Sequence, residues 1–109
     1  MAYEVLLTAD AEADLEEIFD YMISQGDPAE GRRFLDRIER LVETLAEFPE
    51  RGSMPRELLA IGIRDYRQIV SNPCRLIYRV DGERIFVFLI VDGRRDMQTL
   101  LMRRLMQAD

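Results

Sequence analysis

The apolar positions of this chain change period along its length. In residues 2–7, Tyr3, Val5 and Leu7 alternate against Glu4, the rhythm of a short half-buried strand. Thr8 then reads as a helix N-cap. From Ala9 onward Ala11, Leu15, Ile18, Phe19 and Met22 recur on one helical face. The rest of that helix is covered by Asp10, Glu12, Asp14, Glu16, Glu17 and Asp20, read as a solvated acidic surface. Gly26 stops the helix, and Asp27-Pro28 starts a second one, with aspartate at the cap and proline at the first helical position. Its apolar stripe is Phe34, Ile38, Leu41, Val42 and Leu45, and Phe48 followed by Pro49 ends it. So short a connection predicts a helical hairpin of two antiparallel helices facing a sheet.

Residues 50–60 contain Gly52, Ser53 and Pro55 and read as a loop, with room for one helical turn over 56–60. Residues 62–70 read as a strand more exposed than the others and placed at an edge. Ser71-Asn72-Pro73 then turns the chain into a β-hairpin, two β-branched and aromatic runs around Asp81-Gly82. With Asp81-Gly82 as the centre of a type I′ turn, Val80 pairs with Glu83, Tyr78 with Ile85, Leu76 with Val87 and Cys74 with Leu89, an aliphatic face suited to a core. The opposite face pairs Arg75 with Phe88, Ile77 with Phe86 and Arg79 with Arg84. It is too polar for a core and too aromatic for an idle surface, which makes it the expected functional face. After Asp92-Gly93 comes an arginine corner, and Met97, Leu100, Leu101 and Leu105 give a final helix one apolar face with Arg103 and Arg104 outside.

Length adds one restriction: 109 residues, 48% of them apolar, make one domain with a modest core, spanning residues 1–109. No window approaches a membrane span and no signal-type leader opens the chain, so a soluble cytoplasmic protein is expected. The single cysteine, Cys74, has no internal disulfide partner, and with no histidine in the chain it reads as a buried strand residue rather than a nucleophile. The usual nitrogen and sulfur metal sites are unavailable, and no cofactor is expected. The net charge of −6 is unevenly distributed: residues 1–50 hold 14 acids and 4 arginines, residues 51–109 hold 7 acids and 11 arginines. There is no lysine. Codon usage in a GC-rich genome is one account of that; bidentate recognition of carboxylate or phosphate is the other.

The opening Tyr3-x-Val-x-Leu-Thr, Ala-x-x-Asp-Leu over 11–15, the Pro49 loop with Gly52, and Tyr66-Arg67 form an ordered set. It continues with Arg75-Leu-Ile-Tyr-Arg-Val, Asp92-Gly-Arg-Arg-Asp-Met, and Leu-Leu-x-Arg-Arg-Leu over 100–105. In this order and spacing, across essentially the whole chain, the set resembles the RelE/ParE superfamily of bacterial toxins from toxin–antitoxin pairs. The resemblance implies an α+β fold of order β-α-α-β-β-β-α, with an antiparallel sheet packed against a helical hairpin and a C-terminal helix. It implies a type II toxin bound by a cognate antitoxin, ParD-like or RelB-like, in a hetero-oligomer.

Two mechanisms divide that superfamily. Members like RelE cut messenger RNA on the ribosome, which requires a proton acceptor, a proton donor and cations for the phosphorane. Arg75 and Arg95 match the arginines of that set. Its tyrosine position falls on Leu101, however, and its second-strand lysines fall near Tyr66 and Gln68. Arginine is a poor proton shuttle, which leaves Tyr66 as the one general acid or base on the sheet; it also reads simply as a strand tyrosine with a buried ring. Members like ParE inhibit DNA gyrase without catalytic residues of their own, and the residues favour this branch, with the ribosome-dependent endonuclease as the alternative. The expected contact residues for target or antitoxin are Tyr66, Arg67, Arg75, Ile77, Phe86, Phe88, Arg94, Arg95 and Asp96. The corner also has a structural account, in which Asp96 at a helix cap offsets Arg94 and Arg95.

Overall fold

The computed structural model describes residues 2–71, 74–92, 101, 103 and 104. Strand β1 (Glu4–Leu7) leads through Thr8 into α1 (Ala9–Gln25), and the Thr8 hydroxyl accepts from the Ala11 N–H at 3.1 Å. Helix α2 (Pro28–Glu47) starts at Asp27, whose carboxylate accepts from the Ala29 N–H at 3.0 Å. Both caps satisfy N–H groups that the first helical turn leaves without partners. A single turn, α3 (Arg56–Leu59), precedes β2 (Tyr66–Ser71), β3 (Cys74–Asp81) and β4 (Arg84–Asp92). Residues 62–65, expected in β2, instead lie outside the strand after α3: the Gly62 N–H bonds the Leu59 carbonyl, and the Ile63 N–H the Leu58 carbonyl.

The sheet order is β1-β4-β3-β2, so β2 is an edge strand as expected. The sheet is mixed rather than antiparallel, because β1 runs parallel to β4 from Glu4 opposite Arg84 to Leu7 opposite Val87. One face of this sheet carries Ile69, Cys74, Leu76, Tyr78, Ile85, Val87 and Ile90 against Ala11, Phe34, Ile38 and Leu45 of the helical hairpin. Cys74 is 1% exposed there.

The hairpin register differs from the expected one in two steps. The turn is centred on Gly82-Glu83, with Asp81 opposite Arg84, Val80 opposite Ile85, Arg79 opposite Phe86 and Tyr78 opposite Val87. Gly82 has φ +63°, while Asp81 stays at negative φ. That is the requirement of a II′ turn, which asks for positive φ only where glycine stands. This first step slides β4 by two residues and so preserves the faces. The second step does not. Phe88 is an extra residue between the Tyr78–Val87 and Ile77–Leu89 pairs, a bulge beyond which the alternation inverts. Leu89 therefore leaves the helix-facing core, Ile90 enters it opposite Leu76, and Arg75 stands opposite Val91 and Cys74 opposite Asp92.

Tyr78 ties the loop after α2 to the sheet centre. Its hydroxyl donates to the Pro49 carbonyl and accepts from the Gly52 N–H, both at 2.9 Å, and burial pushes the phenol above its ordinary pKa. A Cβ at Gly52 would stand 2.5 Å from the Gln68 carbonyl oxygen and 2.6 Å from the Tyr78 hydroxyl. Tyr78→Phe leaves a buried N–H without a partner and is expected to cost about 1–3 kcal/mol, and Gly52→Ala a comparable roughly 1–3 kcal/mol through overpacking. In urea denaturation the double variant is expected to lose less than the sum of the singles, since removing the hydroxyl relieves one of the two clashes.

Candidate target-binding face

The face of the sheet away from the helical hairpin was expected to be open and mixed. Over its central part it is instead a second core: Ile77, Leu89, Val91 and Tyr66 of the strands are buried with Leu58 of α3 and Leu101. Ile77 is 0% and Leu101 2% exposed. Leu101, Arg103 and Arg104 have helical backbone, in agreement with a terminal helix laid over this face. Its other expected apolar members, Met97, Leu100 and Leu105, lie outside the described residues.

Arg103 is exposed as expected, but Arg104 is not an outward residue. Strand β1 stops at Leu7 opposite Val87 while β4 continues to Asp92, so the β4 backbone past Val87 has no strand on that side among the described residues. There Arg104 donates to the Phe88 carbonyl at 2.9 Å, and the Asp14 carboxylate accepts from the Ile90 N–H at 3.1 Å. The two side chains close on each other through paired 3.0 Å bonds. The Asp14 contact raises the Arg104 pKa further. Asp14, expected in the solvated acidic face of α1, is thus an anchor between α1, β4 and the C-terminal segment.

The nine expected contact residues are dispersed by these arrangements. Ile77 is sealed in the second core and presents nothing to a partner. Tyr66 is 8% exposed, its ring edge-on to Phe88 with centroids 5.4 Å apart. Arg67 donates to the Glu50 and Gly52 carbonyls at 3.2 and 2.8 Å, holding the same loop that Tyr78 holds. Arg75 has a side chain only 15% exposed; both its terminal nitrogens meet Glu57 at 3.2 Å, and it also donates to Gln68. Phe86 and Phe88 are partly exposed. Arg94, Arg95 and Asp96 lie outside the described residues. What the structure adds is Arg79, whose guanidinium lies 5.8 Å from the Tyr66 ring centre and 5.4 Å from that of Phe88. The signal for Arg79 was present in the sequence as an arginine among aromatics, but the type I′ register set it against Arg84 and hid it. Glu57, the partner of Arg75, lay in what read as a loop.

Comparison with known proteins bears on this architecture. The profile described as "ParE toxin of type II toxin-antitoxin system, parDE" matches residues 5–97. The chain belongs to the ParE toxin family. Among relatives, Toxin ParE3 of Caulobacter vibrioides is 28% identical over 97 residues, which span 89% of this chain and 93% of the relative. Two solved structures share the fold. One is described as the chromosomal ParDE toxin–antitoxin system from P. aeruginosa, with TM-score 0.67 and 20% identity, covering 84% of this chain and 96% of that one. The other, the toxin–antitoxin complex RelBE2 from Mycobacterium tuberculosis, has TM-score 0.59 and 21% identity over 84% of this chain and 99% of that one. The family match favours the ParE branch of the superfamily over the RelE branch.

For this ParE-family chain the Arg75–Glu57 contact has a pH signature. The arginine holds the Glu57 carboxyl below its ordinary pKa. A depressed folded-state value means that the pair's contribution is present above the ordinary glutamate range and is lost as pH falls through the lowered value. At neutral pH the pair is worth about 1 kcal/mol, at the upper end for a bidentate, partly screened contact. The melting temperature of wild type is expected to exceed that of Glu57→Gln at pH 7, and the gap to close in acid.

Proposed function

We propose that this chain arrests growth by binding and inhibiting DNA gyrase, catalysing no reaction of its own, and that a cognate ParD-like antitoxin neutralises it. The observation that carries this reading is the filling of the central sheet face by hydrocarbon in a chain of the ParE family: Ile77 and Leu101 are buried together where a nuclease needs groups that exchange protons. Two further facts support it. The chain has no histidine and no lysine. Of the arginines aligned with the nuclease set, Arg75 is already bound to Glu57. The antitoxin partner is supported by the toxin–antitoxin systems from which the two structural relatives come. A gyrase inhibitor acts in the cytoplasm, and this reading places the chain there. Among the described residues no helix is long and apolar enough to cross a membrane.

The test is a paired assay on purified protein. Supercoiling by gyrase is expected to stop, or cleaved DNA to accumulate, while messenger RNA on programmed ribosomes stays intact. Codon-specific cleavage of ribosome-bound RNA with supercoiling unaffected would overturn the proposal. Arg94→Ala with Arg95→Ala is expected to relieve growth arrest while far-UV circular dichroism stays like wild type. Arg75→Ala belongs to a different class, because it leaves a partly buried Glu57 unpaired and lowers stability as well.

A further inference from the structure

The strand arginines Arg67, Arg75 and Arg84, and Arg104 beside them, each have an oxygen partner. Arg67 has the Glu50 and Gly52 carbonyls, Arg75 has Glu57 and Gln68, Arg84 has Glu4 at 3.2 Å, and Arg104 has Asp14 and the Phe88 carbonyl. Arg79 differs: among the described residues its guanidinium meets only the rings of Tyr66 and Phe88. Two rings position a guanidinium without using its N–H donors, since those point outward in the guanidinium plane. The result is a cation fixed in place and partly exposed, its hydrogen-bonding capacity unspent among the described residues.

Its surroundings define what it would accept. The cross-strand row through Arg79 continues to Phe86 and on to Leu6, both partly exposed. This row lies on the side of the face nearer the Gly82 turn, beside the part that Leu58 and Leu101 cover. The next row toward the turn brings Glu4, Arg84 and Asp81 together, with Glu83 in the turn itself. A nucleic-acid backbone needs several cations along a line. Among the described residues this part of the sheet holds a single available cation, bordered by acids, so one carboxylate next to apolar side chains fits and a polyanion does not.

Resting on the proposed function, we infer that Arg79, with Phe86, Phe88 and Leu6, is the seat for an acidic residue flanked by apolar ones in the antitoxin segment that covers this toxin. The arginine forms the charged centre and the aromatic and aliphatic side chains exclude water around it, so a carboxylate bound there gains a bidentate contact to a preorganised donor.

The experiment measures affinity of the full-length cognate antitoxin for wild type, Arg79→Gln and Arg79→Glu by calorimetry, with circular dichroism and melting curves on each. Arg79→Gln is expected to weaken binding by roughly tenfold or more and Arg79→Glu by roughly a hundredfold or more. An acid-to-arginine change in the antitoxin segment is expected to restore part of the Arg79→Glu loss. Should Arg79→Glu fail to fold, Arg79→Gln, which removes the charge but keeps an unbranched polar side chain, decides the matter alone. A folded Arg79→Gln that binds within about threefold of wild type overturns the inference, and so does a loss of gyrase inhibition with antitoxin affinity unchanged. Wild type that binds no antitoxin would overturn the proposed function together with this site; normal wild-type binding unaffected by either variant would overturn the site alone.

Discussion

The contact on which the arrangement depends is the Asp14–Arg104 pair. Strand β4 outruns its parallel neighbour β1, leaving the Phe88 carbonyl and the Ile90 N–H on a side where β1 does not continue. A buried backbone group without a partner costs about as much as a lost hydrogen bond. Here an ion pair completes the edge, the arginine serving the carbonyl and the aspartate the N–H. Because Asp14 belongs to α1 and Arg104 to the C-terminal segment, the same pair draws together the helical hairpin, the sheet and the cover of its second face. The carboxylate has three donors and the guanidinium three acceptor oxygens, so neither charge is buried without compensation.

That edge lies at the bulge, and the bulge makes two cores out of one strand. With strict alternation, Phe88 and Ile90 would share one face and Leu89 the other. The extra residue places Ile90 toward the helices, and Leu89 and Val91 toward Leu58 and Leu101. Both faces of the sheet centre are then apolar and covered, and the partly exposed positions Arg79, Phe86 and Leu6 lie in the sheet's turn-proximal part. Of the aromatic residues on this face, Tyr66 and Phe88 hold Arg79 there instead of lining an open groove.

The charge asymmetry along the chain acquires a structural use in the same way. Glu4 with Arg84 and Asp14 with Arg104 each join an acid of the first half to an arginine of the second. Residues far apart in sequence are thus brought together by complementary charge as well as by apolar burial. The partly buried contacts are bidentate or shared with backbone carbonyls, which a guanidinium can satisfy and an ammonium cannot satisfy in the same geometry. The lysine-free composition is consistent with that use.

The sequence by itself determined the features that depend on neighbours along the chain. Thr8 and Asp27 as caps, Gly26 as a stop, the stripe from Phe34 to Leu45, the edge position of β2 and the helix-facing set Leu76, Tyr78, Ile85 and Val87 all follow from residue preference and period. The order of its motifs was also enough to point to the superfamily. What only the tertiary structure decided depends on partners distant in sequence. The II′ turn and the Phe88 bulge are choices between registers of similar local cost, settled by which faces can be covered. Ile77 passed from candidate contact to core because Leu101 comes to lie over it, and Arg75 from available cation to bound one because α3 presents Glu57. Arg79 emerged as an available cation for the complementary reason: the strand pairing that surrounds it with rings brings no carboxylate to it from the described residues. Whether an arginine is engaged or available is a property of what folds against it, and period and composition carry no record of that.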